Sequence, residues 1–303
     1  MLDFAMLLKS YSLDAAFAQR LIASFVEHNV EAIQLFVVVP EEDVELFTAM
    51  GAANVQVIDE TVLHPYFTDA PMHDIRPGYI NQEIVKLAFW ELGLAHNYFC
   101  VDSDAVFIRD FRISDFMFDH ETPYTVLVED NELKVEPRYY EQYWEQREAH
   151  LRRIQHLVGL DSPTILTCHG HQVLSAKVLE SFVADFLGPR GWTYRDALAE
   201  APYEFSWYNM WLQKALTIPI HRREPLVKVF HHEGHHLEYI LRGISTTDIA
   251  RGYVALVINS NYSRDLGVLN PHASKPESLS RYLSYREAVA VLTHKMKRTI
   301  RRS

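Results

Sequence analysis

The sequence predicts an α/β fold: a Rossmann-type, mostly parallel central sheet flanked by helices. Three observations lead there. Short apolar runs (residues 4–9, 32–39, 55–58, 97–101) alternate with helix-like segments (13–28, 41–50, 79–92), the pattern of strands joined by helical crossovers. The runs are apolar almost throughout, as in strands covered on both faces. With 303 residues, 48% of them hydrophobic, the chain can bury one large core or two small ones.

Residues 4–9 are the first strand, broken by Ser10-Tyr11-Ser12. Residues 13–28 form a helix whose apolar stripe is Leu13, Phe17, Leu21, Ile22 and Phe25. Residues 32–39 give a second strand, stopped by Pro40. A short helix follows over 41–50 and ends at Gly51; residues 55–58 are a third strand. Residues 62–78, with Pro65, Pro71, Pro77 and Gly78, read as a long loop. A helix over 79–92 then ends at Gly93 and leads into Asn97-Tyr98-Phe99-Cys100-Val101-Asp102-Ser103-Asp104-Ala105-Val106-Phe107-Ile108.

That stretch is two apolar strands around two carboxylates. Ligands of parallel sheets bind beyond the carboxyl ends of the strands. Residues 9–11, 40–43 and 59–60 fall on the same rim as Asp102 and Asp104. Carboxylates at i and i+2 at a strand end can converge on a hard cation such as Mg²⁺ or Mn²⁺, with substrate phosphates completing its shell. A solvated turn is the competing reading. Gln82 and Lys86 are four apart, on one helix face. Lys86, set among apolar neighbours, either snorkels to water or points at a phosphate.

Beyond residue 111 the pattern is less regular. Residues 124–128 and 163–166 read as strands, and 138–158 as a surface helix with a solvated charged face. Cys168-His169-Gly170-His171 is a turn before a helix from about 174 to 186; His169 and His171 either touch a substrate or, as is usual for lone histidines in turns, are structural or exposed. Pro202-Tyr203-Glu204-Phe205-Ser206-Trp207-Tyr208 opens another helix. Glu204 there serves the helix dipole or a cleft in which Trp207 and Tyr208 offer apolar platforms to a sugar ring. Residues 227–230 are a strand, followed by His231-His232-Glu233-Gly234-His235-His236. This formally matches a His-Glu-x-x-His zinc motif, but such a motif needs a helix, and Gly234 disfavours one. A last strand spans 253–258 and a loop 259–271.

Two cysteines exclude a disulfide framework and suit reduced thiols. No apolar run approaches the roughly 20 residues of a membrane span, and Met1-Leu2-Asp3-Phe4 does not resemble a secretory leader. A cytoplasmic location is expected, with peripheral contact at the inner face of the membrane as its variant. The chain carries −11 overall, yet residues 275–303 hold eight Lys/Arg against two acids, so the net of −17 on residues 1–274 argues against nucleic acid. Tyr282, Tyr285, Val289, Leu292 and Met296 give this basic tail a helical stripe. It can pack, self-associate, or lie on anionic lipid.

The order of helix lysine, strand, Asp-Ser-Asp and apolar run resembles the signature region of GT-A nucleotide-sugar glycosyltransferases, most nearly family 8. The longer pattern resembles the bacterial domain of unknown function 6492. Leu8-Lys9-Ser10-Tyr11 with Asp14, Phe36-Val37-Val38-Val39-Pro40, Gln82 with Lys86, the Asp-Ser-Asp strand and Pro202-Tyr203-Glu204 carry it, over about residues 3–265. The resemblance implies one catalytic domain, 1–274, with a nucleotide-sugar half (1–110) and an acceptor half (111–274); it leaves out the basic helix 275–303, which is read from its own residues.

It further implies Mn²⁺ or Mg²⁺ held by Asp102, Asp104 and His231, with His232 as ligand if the register shifts by one. Lys86 would contact the diphosphate, and Lys9, Ser10 and Tyr11 the base and ribose. Leu237 replaces a family lysine, leaving His235 or His236 as substitutes. The implied reaction moves a sugar from a nucleoside-diphosphate donor, UDP-linked by expectation, to a hydroxyl of a saccharide or lipid-linked saccharide in surface polysaccharide synthesis. Glu204 is then the base of an inverting reaction or an acceptor-positioning group. A metal-dependent hydrolase built on the histidines, and a silent sugar-nucleotide-binding protein, are the alternatives.

Overall fold

A computed structural model describes residues 1–128, 137–231 and 233–258, together with Val289 and Thr293. The strands are β1 (Leu2–Lys9), β2 (Leu35–Val39), β3 (Val55–Asp59), β4 (Ala95–Val101), β5 (Ala105–Phe107), β6 (Tyr124–Thr125), β7 (Val173–Ser175), β8 (His221–Arg222), β9 (Val227–Phe230) and β10 (Ala255–Ile258). The α-helices are α1 (Ala15–His28), α2 (Val44–Thr48), α3 (Pro77–Ala88), α4 (Ile113–Phe116), α5 (Pro137–Val158), α6 (Ala176–Ser181), α7 (Tyr194–Glu200), α8 (Glu204–Ala215), α9 (Glu233–Leu241) and α10 (Thr246–Ile249).

Packing divides the chain into two units, Met1–Ser103 with Phe111–Pro225, and Asp104–Asp110 with Leu226–Ser303. The expected halves, 1–110 and 111–274, are drawn by ligand rather than by packing, and the two divisions cut the chain differently.

The first unit holds a five-stranded sheet in the order β3-β2-β1-β4-β7. Its first four strands are parallel and β7 runs antiparallel to β4. Every residue of β2 is buried, which is why it reads as an unbroken apolar run. Ala5, Leu7, Tyr98 and Cys100 face a core shared with α3, α6 and α8. The opposite face carries Phe4 and Phe99, whose rings lie 5.2 and 4.8 Å from Phe116 of α4. Helices thus cover both faces, and Lys9, Val39, Asp59 and Val101 end their strands on one edge.

The second unit holds a three-stranded sheet, β5-β10-β9. β5 is antiparallel to β10, and β9 parallel to it.

Several boundaries differ from the sequence reading, for physical reasons. The second strand starts at Leu35, because the Asn29 side chain bonds both backbone groups of Ile33 and Ala32 takes a positive φ of 54°. Leu13 lies in a 3-10 turn before α1 and is 71% exposed, outside the apolar stripe. The loop over 62–78 begins inside a 3-10 helix, Glu60–Tyr66. Residues 163–166 are not a strand: the carbonyls of Pro163, Thr164 and Leu166 accept from Arg152, Gln155 and Gln213 of the flanking helices. Only Tyr124 and Thr125 pair as a strand, while Val126, Leu127 and Val128 continue buried. Residues 173–175 pair with β4 before α6 and a π-helical turn, Phe182–Leu187. Gly234 does not prevent a helix, since α9 runs from Glu233.

Candidate functional site

The first unit concentrates its buried charge at the carboxyl edge of the parallel strands. Proline at the start of α3 and Gly93 (φ 65°) just past its 3-10 extension delimit this helix. Gln82, Glu83 and Lys86 fall on adjacent positions of one face. Lys86 Nζ lies 3.0 Å from Asp102 Oδ1 and 3.0 Å from Glu204 Oε1, so one ammonium joins the end of β4 to the start of α8. Gln82 Nε2 donates to the same Asp102 oxygen at 3.3 Å. His171 Nε2 is 3.6 Å from Asp102 Oδ2. The Phe205 ring centroid is 5.0 Å from Lys86 Nζ and screens the ammonium from water.

These contacts set the charge states. Burial pulls the Lys86 ammonium down, but Asp102 and Glu204 reverse this and hold it well above its usual range. Burial pushes the Asp102 carboxyl up, but the charge of Lys86, then His171, with the hydrogen bonds from Lys86 and Gln82, brings it down to about 2. Burial keeps the His171 imidazole below its usual range against the pull of Asp102. Glu83 is 2% exposed. Burial first, then the charge of Glu204, raises its carboxyl well above the usual range, against Lys86 and Arg147.

Arg147 of α5 is 1% exposed. Its guanidinium donates to the Cys168 carbonyl and Ser206 Oγ, both at 3.1 Å, and lies 4.8 Å from the Tyr203 ring centroid. The helix read as a solvated face therefore carries a buried cation that braces the start of α8. Trp207 and Tyr208, expected as sugar platforms, are core residues at 0 and 1% exposure. The Trp207 indole donates to the Ala201 carbonyl, and the Tyr208 hydroxyl accepts from Ser175 N–H. Helical geometry turns Glu204 toward Lys86 and these rings inward.

Elsewhere on the rim, Lys9 Nζ pairs with Glu60 Oε2 at 2.7 Å and donates to the Ser10 carbonyl at 2.8 Å. Ser10 is buried. Tyr11 is partly exposed, and Arg76 donates to its hydroxyl at 3.4 Å.

In the second unit, Asp104 precedes β5 and His231 follows β9. Val257 of β10 pairs with Ala105 on one side and Val229 on the other. The backbone register therefore puts Asp104 and His231 at the same end of this sheet, flanking β10, about two strand spacings or ~10 Å apart. His231 is fully buried. His235 stacks edge-on to Phe230 at 5.1 Å and Tyr239 at 5.2 Å; His236 lies 4.9 Å from Phe230, and burial lowers its pKa. His232 and residues 259–288, 290–292 and 294–303, including nearly all of the basic tail, lie outside the described residues. Among the described residues no three His, Cys, Asp or Glu gather as a ready-made metal cage. Of the donors at Asp104 and His231, the carboxylate oxygen is of the type that suits Mg²⁺ or Mn²⁺, and the imidazole nitrogen is of the type that suits a transition metal.

Sequence reasoning missed Glu83, Arg147 and Gln172, and left His171 between a substrate contact and a structural or exposed histidine. A signal existed for Glu83, an acid one turn before Lys86 in an apolar helix. Nothing marked Arg147 within its charged surroundings.

Fold and site together define a mostly parallel α/β protein with an ionisable cluster at the carboxyl edge of its parallel strands. The chain belongs to a family of unknown function, DUF6492, whose model matches residues 8–238. No curated protein matches it. Among solved structures it is similar to mouse xyloside xylosyltransferase 1 in its apo form, at 12% identity and a TM-score of 0.46, covering 85% of this chain and 98% of that one. It is also similar to the apo bifunctional glycosyltransferase WbbM, at 12% identity and a TM-score of 0.47, covering 86% of this chain and 46% of that one. Among the described residues no helix is long and apolar enough to cross a membrane.

Proposed function

We propose that the protein is a metal-dependent glycosyltransferase that moves a sugar from a nucleoside-diphosphate donor, UDP-linked in our reading, to a hydroxyl acceptor. The acceptor class we assign is a saccharide or lipid-linked saccharide of the bacterial surface. The observation that carries this reading is Lys86 Nζ, 3.0 Å from both Asp102 and Glu204 at the carboxyl edge of the parallel strands. That edge is where such sheets bind ligands.

In this reading Lys86 is the phosphate-facing cation. Its two carboxylates hold it charged, and an arriving diphosphate would share that ammonium with them. Asp102, engaged by Lys86 and Gln82, orients the ammonium. Asp104 and His231 are the residues we assign to Mn²⁺ or Mg²⁺. When bound, such an ion neutralises negative charge growing on a leaving diphosphate. Lys9, Ser10 and Tyr11 are assigned to the base and ribose. Glu204, already paired with Lys86, is assigned to positioning the sugar or acceptor.

Calorimetry of UDP binding with and without Mn²⁺ tests the proposal. Asp104→Ala should abolish the metal-dependent part of binding while circular dichroism stays native. Unchanged binding would sink the assignment. A hydrolase built on the histidine cluster gains one supporting observation, the helical backbone of α9 through His235 and His236. Zinc or iron retained through dialysis without nucleotide would favour it.

A further inference from the structure

Three buried polar atoms beside the charged cluster have no hydrogen-bond partner: Glu83 Oε2 and both amide atoms of Gln172, Nε2 and Oε1. Glu83 and Gln172 are 2 and 1% exposed. Buried groups of this kind are normally satisfied, and an unmet one points to water, an ion or a ligand.

Their placement favours a ligand. Cys100 N–H donates to the Gln172 carbonyl at 3.1 Å, continuing the antiparallel register of β7 on β4. Gln172 is therefore directly opposite Cys100, and its side chain leaves the sheet on the same face. That is the face on which the Cys100 thiol meets the charges of Lys86 and Glu204. His171, next in sequence, takes a left-handed φ of 55°, which brings its ring to Asp102 instead of across the sheet. A non-glycine residue in that conformation is strained, and such strain gathers at ligand sites. Glu83 reaches the same cluster from α3, one turn before Lys86.

The charge count then restricts the ligand. Lys86, paired with Asp102 and Glu204, is the cation assigned to the diphosphate, and the Arg147 guanidinium is engaged by Cys168 and Ser206. What remains is an amide, an imidazole and a buried carboxyl whose pKa burial raises. An amide offers a donor and an acceptor, as a hydroxyl requires. A carboxylate-bearing ligand would need a cation that this set does not supply.

We propose that Gln172, with Glu83 and His171, reads the hydroxyls of the donor sugar and selects a neutral hexose over a uronic acid; this rests on the nucleotide-sugar reading above. Thermal unfolding of the full chain with Mn²⁺ and UDP, UDP-glucose, UDP-galactose, UDP-N-acetylglucosamine or UDP-glucuronate tests it. UDP should raise Tm, at least one neutral sugar should raise it further, and UDP-glucuronate should add nothing. The best neutral donor should bind about tenfold or more tighter than UDP-glucuronate by calorimetry. Gln172→Leu should raise the Tm of the ligand-free protein, because the unmet amide is gone. It should also keep the UDP shift and lose the sugar increment. Glucuronate binding as tightly as the neutral sugars, no sugar increment over UDP, or an increment that survives Gln172→Leu would each overturn the pocket alone. No shift with UDP itself would overturn the nucleotide reading and the pocket with it.

Discussion

Lys86 is the residue on which the buried charge balances. Removing it leaves Asp102 and Glu204 facing each other with no cation between them, the costly way to break a buried pair. Lys86→Met should destabilise the protein by about 3 kcal/mol, measured by urea unfolding at pH 7. Glu83 behaves in the opposite sense. Its folded pKa is raised, so above the unfolded value of 4.5 the unfolded state releases a proton that the folded state keeps, and stability falls as pH rises. Glu83→Gln should therefore raise Tm, by little at pH 4.5 and by more at pH 7.5. A pH-independent change would contradict the protonated carboxyl. Asp102 has a depressed folded pKa. Its contribution is present above 3.8 and lost as pH falls through about 2. Lys86, Asp102 and Glu204 were legible as separate candidates. Their joining was not, because positions 86, 102 and 204 meet only through the packing of α3, β4 and α8.

At the scale of elements, Gly93 and the strand runs were legible because their causes are local. Gly93 ends its helix at φ 65°, a conformation in which a Cβ is strained. Gly93→Ala should cost about 1 kcal/mol, read as a lower urea midpoint with an unchanged slope. α5 was misread for the converse reason. Its composition is that of an exposed helix, yet Arg147, Leu151 and Ile154 are buried. Arg147→Ala should destabilise by about 3 kcal/mol and loosen the start of α8, seen as faster amide exchange at Phe205–Trp207 backbone positions than elsewhere in the helix. The strand expected at 163–166 failed because helix side chains, not a neighbouring strand, satisfy its carbonyls.

For the whole molecule, the sequence carries an acidic body and a basic end. Deleting residues 275–303 removes a net of +6 and should weaken sedimentation with anionic liposomes or lower the oligomer mass by light scattering. If neither changes, the segment only packs. The chain by itself determined the α/β class, the parallel core and the place of Asp102 at a strand end, because hydrophobic periodicity and turn residues act over a few positions. Only the tertiary structure decided that Asp102 is held by Lys86, that Glu83 is buried with its carboxyl pKa raised, that Arg147 lies inside, and that Trp207 and Tyr208 belong to the core. Each of those depends on which faces of distant elements meet, and on how far burial removes water from a charge.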